Sequence, residues 1–263
     1  MADDQHRTRR GGVETSIRTA AIWRSVLDAA TQRAQQVGRP LRVVDLGGGT
    51  GGLAVPLAEH GHEVTVVDPS PDALASLMRR AREVEVDERI TALQGDAATL
   101  TQVVPAAGAD LVCCHGVLEV LDDDADVTAA LDSLAQALAP GGTLSLVVAQ
   151  RLAVVLGRAL AGRFDQARAA LSSDDGRWGS ADPLPRRFDA DQVRALARAA
   201  GLEVVAEHGV RLFADLVPAA MLDTDADAES LMELEDAIAA HPTYAFLGNL
   251  AGAVHILARR PQS

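Results

Sequence analysis

The sequence contains no lysine, only two cysteines and few aromatic residues. All 24 basic residues of the 263-residue chain are arginines, and 37 acidic residues give a net charge of −13. Because contacts to nucleic-acid phosphates need clustered cations, this balance argues against a DNA-binding protein. No apolar run approaches the roughly 20 residues of a membrane span, and no stretch typical of a secretory signal follows the N-terminus. We therefore expect a cytoplasmic protein with no DNA or membrane partner.

The two cysteines, Cys113 and Cys114, are neighbours inside an apolar segment. A disulfide between adjacent cysteines would be strained, so both residues are predicted to be buried thiols. No grouping of His, Cys, Asp and Glu has the spacing of metal ligands. The sequence therefore predicts no metal site.

Short apolar segments alternate with helical segments along most of the chain. The predicted strands cover residues 41–46, 63–68, 89–94, 109–114, 141–149, 202–210 and 252–259. Strands that alternate with helices indicate a parallel sheet. We predict an α/β fold with a doubly wound, Rossmann-like, seven-stranded sheet that is mostly parallel and has an antiparallel last strand.

One domain is expected to span residues 1–263. Its predicted segments are a flexible arm (1–13), an N-terminal helix (14–40), a cofactor-binding core (41–150), a helical cap insertion (151–188) and a stretch that completes the sheet (189–263). The cap contains two predicted short helices followed by a connection too long for an ordinary crossover. The cap contains seven arginines and four aspartates, which give it a local charge of +3. The cap could therefore present a basic surface.

A glycine-rich turn follows the first predicted strand. The sequence VVDLGGGTGG places Gly47, Gly48, Gly49 and Gly51 just after Asp45 and before a helix. Glycines let the backbone turn sharply and approach a ligand, and a helix N-terminus offers free N–H groups. The turn therefore predicts a nucleotide-like cofactor. Its spacing also fits the dinucleotide motif, so the glycines alone leave an NAD-dependent oxidoreductase open.

Residues at the strand ends favour S-adenosyl-L-methionine as the cofactor. Asp45 would attract the methionine ammonium but repel a pyrophosphate. Asp68 ends the second strand, where an acid commonly binds ribose hydroxyls. Asp96 and Ala97 follow the third strand, where the carboxylate can accept an adenine amino hydrogen, although Asp is also common in turns. His115 follows the fourth strand at the edge where such sheets bind ligands, and its alternative role is a structural hydrogen bond.

These motifs, together with APGG at residues 139–142, resemble those of the class I S-adenosylmethionine-dependent methyltransferases. From Ile17 onward the chain is also similar to the bacterial tRNA 5-carboxymethoxyuridine methyltransferase family, through IRTAAIW, CHGVLEVL, GRFD, GVRLF, LMELE and HILARRPQ. This resemblance implies that Arg18 and His115 contact the cofactor. It also implies that the methyl acceptor is the carboxylate of a modified wobble uridine in tRNA.

The chain departs from that family at several positions. The family's lysine-rich stretch in the cap has no counterpart, Val120 stands where an aromatic residue is expected, and Asn249 stands where an arginine is expected. These changes remove cations and a stacking surface. They favour a second hypothesis, a small-molecule O-methyltransferase acting on a carboxylate-bearing molecule. A regulatory protein that binds the cofactor without turnover is a third hypothesis.

A carboxylate acceptor is already ionised at neutral pH, so methyl transfer to it needs no general base. We expect catalysis by positioning, with an arginine gripping the carboxylate in a fork. Arg211 in GVRLF and Arg163 in GRFD are the candidates. The alternative for each is an ordinary surface arginine.

Overall fold

The computed structural model describes residues 21–218, 221–222 and 224–262. The predicted N-terminal arm, the beginning of the first helix and Arg18 lie outside these residues. Within the described chain, the first helix, α1, occupies residues 21–37. No helix in this part of the chain is both long enough and apolar enough to cross a membrane.

Seven strands form one sheet, as predicted. They are β1 (Arg42–Leu46), β2 (Glu63–Asp68), β3 (Ile90–Gln94), β4 (Ala109–His115), β5 (Leu138–Ala149), β6 (Glu203–Val210) and β7 (Ala253–Arg259). Their order across the sheet is β3-β2-β1-β4-β5-β7-β6. The pairs among β1 to β5 are parallel, and β7 runs antiparallel to both of its neighbours. The predicted doubly wound, Rossmann-like sheet with an antiparallel last strand is confirmed.

Helices cover both faces of this sheet. The helices that follow α1 are α2 (Ala54–Glu59), α3 (Pro71–Glu83), α4 (Leu100–Val103), α5 (Asp124–Ala137), α6 (Arg151–Leu160), α7 (Phe164–Ser172), α8 (Ala190–Ala199) and α9 (Asp225–Ala239). Helices α1 to α3 share one apolar layer with the sheet, and α4, α5 and α8 share the other. Because successive strand residues point to opposite faces, the fully buried Cys113 and Cys114 belong to different layers. Both are free thiols, as predicted.

The cap consists of the two predicted short helices, α6 and α7, and the connection that leads to α8. Three of its seven arginines are buried in internal contacts. Arg151 donates to Asp189 at 2.9 Å, Arg186 donates to Asp124 at 2.6 Å, and Arg187 donates to both carboxylate oxygens of Asp182 at 2.7 and 2.8 Å. The cap surface is therefore much less basic than the composition of the segment suggests.

One predicted helix, around residues 215–221, is not observed over residues 215–218. Residues 212–216 form turns and residue 217 a bend, whereas Met221 lies in a 3₁₀ turn and its N–H donates to the carbonyl of Pro218 at 2.8 Å. The Glu235 carboxylate of α9 accepts hydrogen bonds from the backbone N–H groups of Phe213 and Ala214 at 2.8 and 3.0 Å. A side chain from a distant helix thus satisfies the backbone donors that a local helix would leave free at its N-terminus.

Candidate functional site

The predicted cofactor residues that the structure describes lie at the carboxyl ends of β1, β2, β3 and β4. The strand order changes direction between β1 and β4, and open α/β sheets bind ligands at such a point. Gly47 has φ of +74°, and a Cβ atom there would lie only 2.5 Å from Cγ2 of Val117. Only glycine allows the turn to pack this closely against the segment after β4.

Asp45 is the predicted partner of a cationic cofactor group. It is 3% exposed, and its Oδ2 has no hydrogen-bond partner among the described residues. Burial, followed by the charge of Asp68, raises the pKa of Asp45 to about 7. A Cβ atom on Gly48 would lie 2.5 Å from Oδ2, so the turn backbone packs directly onto this carboxylate. A buried carboxylate oxygen without a donor fits an ammonium ligand, which would supply both the hydrogen bond and the opposite charge.

Asp68 joins the end of β2 to the glycine turn. Its Oδ2 accepts a hydrogen bond from Gly49 N at 2.9 Å, and its Oδ1 accepts one from Ser70 N at 2.9 Å. Ser70 caps α3, because its Oγ accepts from Ala73 N at 3.2 Å. Asp68 is therefore not needed as a helix cap. Its oxygens keep further lone pairs for the ribose hydroxyls predicted to bind there.

Asp96 is exposed and forms a turn with Thr99, the alternative role considered for it. Its Oδ1 accepts hydrogen bonds from Thr99 N at 2.9 Å and Thr99 Oγ1 at 2.7 Å. The side-chain hydrogen bond with Thr99 is the main cause that lowers the pKa of Asp96. The next residue, Ala97, buries its side chain in the core, so only its backbone is available to a ligand.

His115 ends β4 and is half-buried. Its Nε2 lies 2.8 Å from Ser145 Oγ. Burial lowers the pKa of His115 to about 4, so the ring is neutral at pH 7. This contact with Ser145 is the structural hydrogen bond considered as the alternative role of His115. It uses Nε2 and leaves Nδ1 available to a ligand.

Glu119 is a buried acid that sequence reasoning did not single out. It follows β4 and is 7% exposed. Its Oε1 accepts a hydrogen bond from Ala149 N at 3.2 Å, whereas Oε2 has no partner in the described chain. Burial raises the pKa of Glu119, and the nearby Arg211 and Arg187 partly oppose this effect. The motif CHGVLEVL contained this residue, but nothing in the motif indicated its burial.

Arg211 is held in place through its backbone. Its φ of +67° is unusual for a residue with a side chain. Its carbonyl accepts from Gly252 N at 3.1 Å, and its N–H donates to Glu235 Oε2 at 3.2 Å. The guanidinium is half-buried and forms an ion pair with Asp215, with Nε 3.5 Å from Oδ2. These contacts place the cation near Glu119.

Arg163, the other candidate for the acceptor carboxylate, is exposed at the beginning of α7. Its N–H donates to the carbonyl of Arg158 at 2.8 Å. No contact in the described part of the chain joins its side chain to the residues at the carboxyl edge of the sheet. The structure thus brings Arg211, but not Arg163, together with that edge.

A family model described as a methyltransferase domain matches residues 18–207. The chain belongs to the methyltransferase domain family. This methyltransferase is also 30% identical over 263 residues to the tRNA 5-carboxymethoxyuridine methyltransferase of Escherichia coli O157:H7, covering 100% of this chain and 95% of the relative. A shorter match, 34% identical over 109 residues, joins 40% of this chain to 38% of a ubiquinone biosynthesis O-methyltransferase of Methylocella silvestris.

Solved structures share the fold of this methyltransferase. An S-adenosylmethionine-dependent methyltransferase from Methanosarcina mazei has a TM-score of 0.57 at 15% identity and covers 85% of this chain and 94% of its own. A 1,6-didemethyltoxoflavin-N1-methyltransferase from Burkholderia thailandensis, solved with S-adenosylhomocysteine, has a TM-score of 0.53 at 19% identity and covers 99% and 91%. The protein is an S-adenosylmethionine-dependent methyltransferase. The methyltransferase family match decides against the NAD-dependent oxidoreductase that the glycine spacing left open.

Proposed function

We propose that S-adenosyl-L-methionine binds at the carboxyl ends of β1, β2, β3 and β4 within a single methyltransferase domain, residues 1–263. The residues proposed to hold it are Arg18, Asp45, Gly47, Gly48, Gly49, Gly51, Asp68, Asp96, Ala97 and His115. When bound, the cofactor supplies a methyl group on a positively charged sulfur. The unpartnered Oδ2 of Asp45 supports this assignment most directly, because it needs a cationic donor.

We propose that the methyl group goes to a carboxylate oxygen, and that this carboxylate belongs to 5-carboxymethoxyuridine in tRNA. The observation that carries the proposal is the 30% identity to a tRNA 5-carboxymethoxyuridine methyltransferase over the full length of this chain. A match of this extent includes the cap and the C-terminal strands, which contribute little to the cofactor motifs.

Arg211 is the residue proposed to orient the acceptor carboxylate, with Arg163 as the second candidate. The carboxylate is ionised at neutral pH, so these residues need only hold it in place and balance its charge. Burial raises the pKa of Glu119, so this acid ionises less readily than an exposed glutamate and opposes an incoming carboxylate less.

Replacing Arg211 with lysine is expected to lower kcat/KM for the carboxylate acceptor by about tenfold. Lysine keeps the positive charge but loses the planar fork that can hold two carboxylate oxygens. Steady-state methyl transfer measures kcat/KM, and calorimetry measures the affinity for S-adenosylhomocysteine. The expected affinity for S-adenosylhomocysteine is unchanged. Arg168→Lys, an exposed substitution in the cap, is the matched control, and an unchanged kcat/KM in Arg211→Lys would remove Arg211 from the site.

Label transfer from methyl-labelled S-adenosylmethionine tests the acceptor. Purified tRNA that carries 5-carboxymethoxyuridine should take up label, and tRNA from cells unable to form the carboxymethoxy group should not. Equal labelling of both tRNA preparations, or labelling of neither, would contradict the proposed acceptor.

A small carboxylate-bearing molecule is the second candidate acceptor. The burial of Arg151, Arg186 and Arg187 in internal contacts favours it, because these cations are not available to tRNA phosphates. Label that enters a fractionated metabolite extract but no RNA fraction would select this acceptor over tRNA.

A further inference from the structure

Four polar side chains form a continuous hydrogen-bonded chain across four neighbouring strands. Nε2 of His115 lies 2.8 Å from Ser145 Oγ, and the same Oγ lies 2.8 Å from Nε2 of His255. Nδ1 of His255 lies 3.0 Å from Nε2 of His208. Ser145 and His255 are 0% exposed, whereas His115 and His208 are half-buried. The chain therefore joins the carboxyl edge of the sheet to the edge strand β6 through its interior.

The sheet register explains why these residues meet. Ser145 pairs in register with Cys113, and Cys113 lies on β4 two residues before His115. His255 is the partner of Val147, two residues after Ser145, and of His208. Because residues two apart on a strand share a face, all four side chains lie on the face that carries α1, α2 and α3. The contacts between these four side chains follow from how the strands pair, because the residues are far apart in the sequence.

Burial keeps the rings of His115 and His255 neutral. Burial lowers the pKa of His115 to about 4 and places the pKa of His255 well below its usual range. Burial also lowers the pKa of His208, but Asp236 of α9 and Glu207 of β6 oppose this effect. An imidazolium in the middle of the chain is therefore unfavourable.

The charged groups near His208 belong to α1, α8, α9 and β6. Asp236 is paired with Arg24 of α1, and Glu207 is paired with Arg194 of α8 at 2.8 Å. His255 of β7 lies directly opposite.

Two arrangements of the hydrogens keep every ring neutral and make all the links donate in the same direction along the chain. In the outward arrangement His115 Nε2 donates to Ser145, Ser145 donates to His255 Nε2, and His255 Nδ1 donates to His208, whose Nδ1 carries the last hydrogen. In the inward arrangement each link donates in the opposite direction. His208 Nε2 donates to His255 Nδ1, His255 Nε2 donates to Ser145, and Ser145 donates to His115 Nε2. His115 then carries its hydrogen on Nδ1, and Nδ1 of His208 carries none.

We propose that this chain is a neutral proton relay from the methyl-acceptor site to solvent, which equips the enzyme for an acceptor oxygen that carries a hydrogen, such as a hydroxyl group. As the oxygen forms its bond to the methyl carbon, its O–H bond breaks and the proton passes to Nδ1 of His115. Each link then passes on its own proton, and one proton leaves Nδ1 of His208 to water. The outward arrangement becomes the inward one without a buried charge.

The relay goes beyond the proposed carboxylate acceptor, which has no proton to lose. Ser145, His255 and His208 would act through His115 as positioning residues. His115 would take the acceptor proton on Nδ1, the ring nitrogen that its contact with Ser145 leaves free, and this role replaces the cofactor contact proposed for it above. The low pKa of His115 does not oppose this role, because the proton does not stay on the ring. Relays that end in solvent avoid the cost of a charged group in a low-dielectric interior.

Histidine ring NMR of the full chain, saturated with S-adenosylhomocysteine, tests the coupling without turnover. Nitrogen-15-labelled rings are followed while the pH is lowered from about 8 until the His208 ring has titrated. Protonated His208 donates from Nε2, so the inward arrangement is enforced. We expect the hydrogen of His115 to move from Nε2 to Nδ1 as His208 titrates, while His115 and His255 stay neutral.

Ser145→Ala should abolish this response of His115, and the control His60→Gln, at an exposed histidine bonded to Pro56, should preserve it. A His115 ring that keeps its tautomer while His208 titrates in the wild type would overturn the relay. So would an unchanged response in Ser145→Ala.

Turnover tests the acceptor class with two tRNA probes, one carrying 5-carboxymethoxyuridine and one carrying 5-hydroxyuridine at the same position. His208→Gln keeps a hydrogen-bonding group but cannot pass a proton. We expect it to lower kcat for the hydroxyl acceptor at least tenfold more than for the carboxylate acceptor. No methylation of the hydroxyl probe by the wild type, or an equal loss for both probes, would overturn the proposed role. The NMR result is independent of both probes, so a failure of the carboxylate proposal is recognised separately.

Discussion

Alanine at position 68 is expected to weaken S-adenosylhomocysteine binding by about a hundredfold or more. Asp68 would bind the two ribose hydroxyls, and hydrogen bonds to a charged group contribute about 1.5 to 3 kcal/mol each. The substitution also removes the acceptor of the Gly49 N–H, now at 2.9 Å. The glycine turn would lose its anchor to β2, and its backbone would no longer be held ready for the ligand.

Isothermal titration with S-adenosylhomocysteine measures this loss, and circular dichroism shows whether the variant is folded. Asp72→Ala, in the first turn of α3, is a matched control that leaves β2 and the glycine turn untouched. An affinity within about threefold of wild type in Asp68→Ala would contradict the assignment of the whole cofactor site.

Asparagine at position 45 is expected to have opposite effects on stability and on binding. The folded-state pKa of Asp45 is raised from 3.8 to about 7, so the folded protein binds this proton more tightly than the unfolded chain does. Stability therefore falls as pH rises from 3.8 towards 7, and the full cost is present above that window. Asp45→Asn removes the cost and should stabilise the cofactor-free protein at about pH 8 by about 2 to 4 kcal/mol.

The same substitution should weaken S-adenosylhomocysteine binding by about a hundredfold, because the ligand ammonium loses its buried charge partner. In the wild type, affinity should fall as pH drops below about 7, since the ligand selects the ionised carboxylate. Thermal unfolding and calorimetry at two pH values measure both effects. Equal affinity of the variant and the wild type at high pH would show that Asp45 does not meet the ammonium.

Asp110→Asn is the contrasting control for this prediction. Asp110 is as deeply buried as Asp45, but it lies at the amino end of β4 and accepts hydrogen bonds from Arg39 at 2.9 and 3.1 Å and from Arg42 N at 3.0 Å. Its loss should destabilise the protein, because arginine donors would be left without their acceptor. Binding of S-adenosylhomocysteine should be unaffected.

The sheet could be predicted from local patterns. Each parallel strand is an apolar run followed by a helix, as in EVTVVD before α3, and this alternation admits few topologies. The glycine turn and Asp68 were also predictable, because close backbone approach and a strand-end acid have short-range signatures. The sheet therefore followed from residues that are near one another in the sequence.

The surroundings of the site could not be predicted in the same way. The backbone of Arg211 is held by Glu235, 24 residues later. The same carboxylate accepts from the N–H groups of Phe213 and Ala214, just before the stretch in which local propensity favoured a helix. His115 meets His255 only through Ser145, across a register that no sequence motif specifies. The charge of the cap was overestimated because composition does not reveal that Arg151, Arg186 and Arg187 are buried.

The two adjacent thiols on β4 lie in different layers of the protein, so each is a chemical probe of its own layer. Cys113 lies under α1 to α3, and Cys114 lies under α4, α5 and α8. Burial raises the pKa of both thiols, so alkylating reagents react only after a layer has lifted from the sheet. With no other cysteine in the sequence, the alkylation rate of each thiol reports how often its own side of the molecule opens, and whether ligand binding closes one side more than the other.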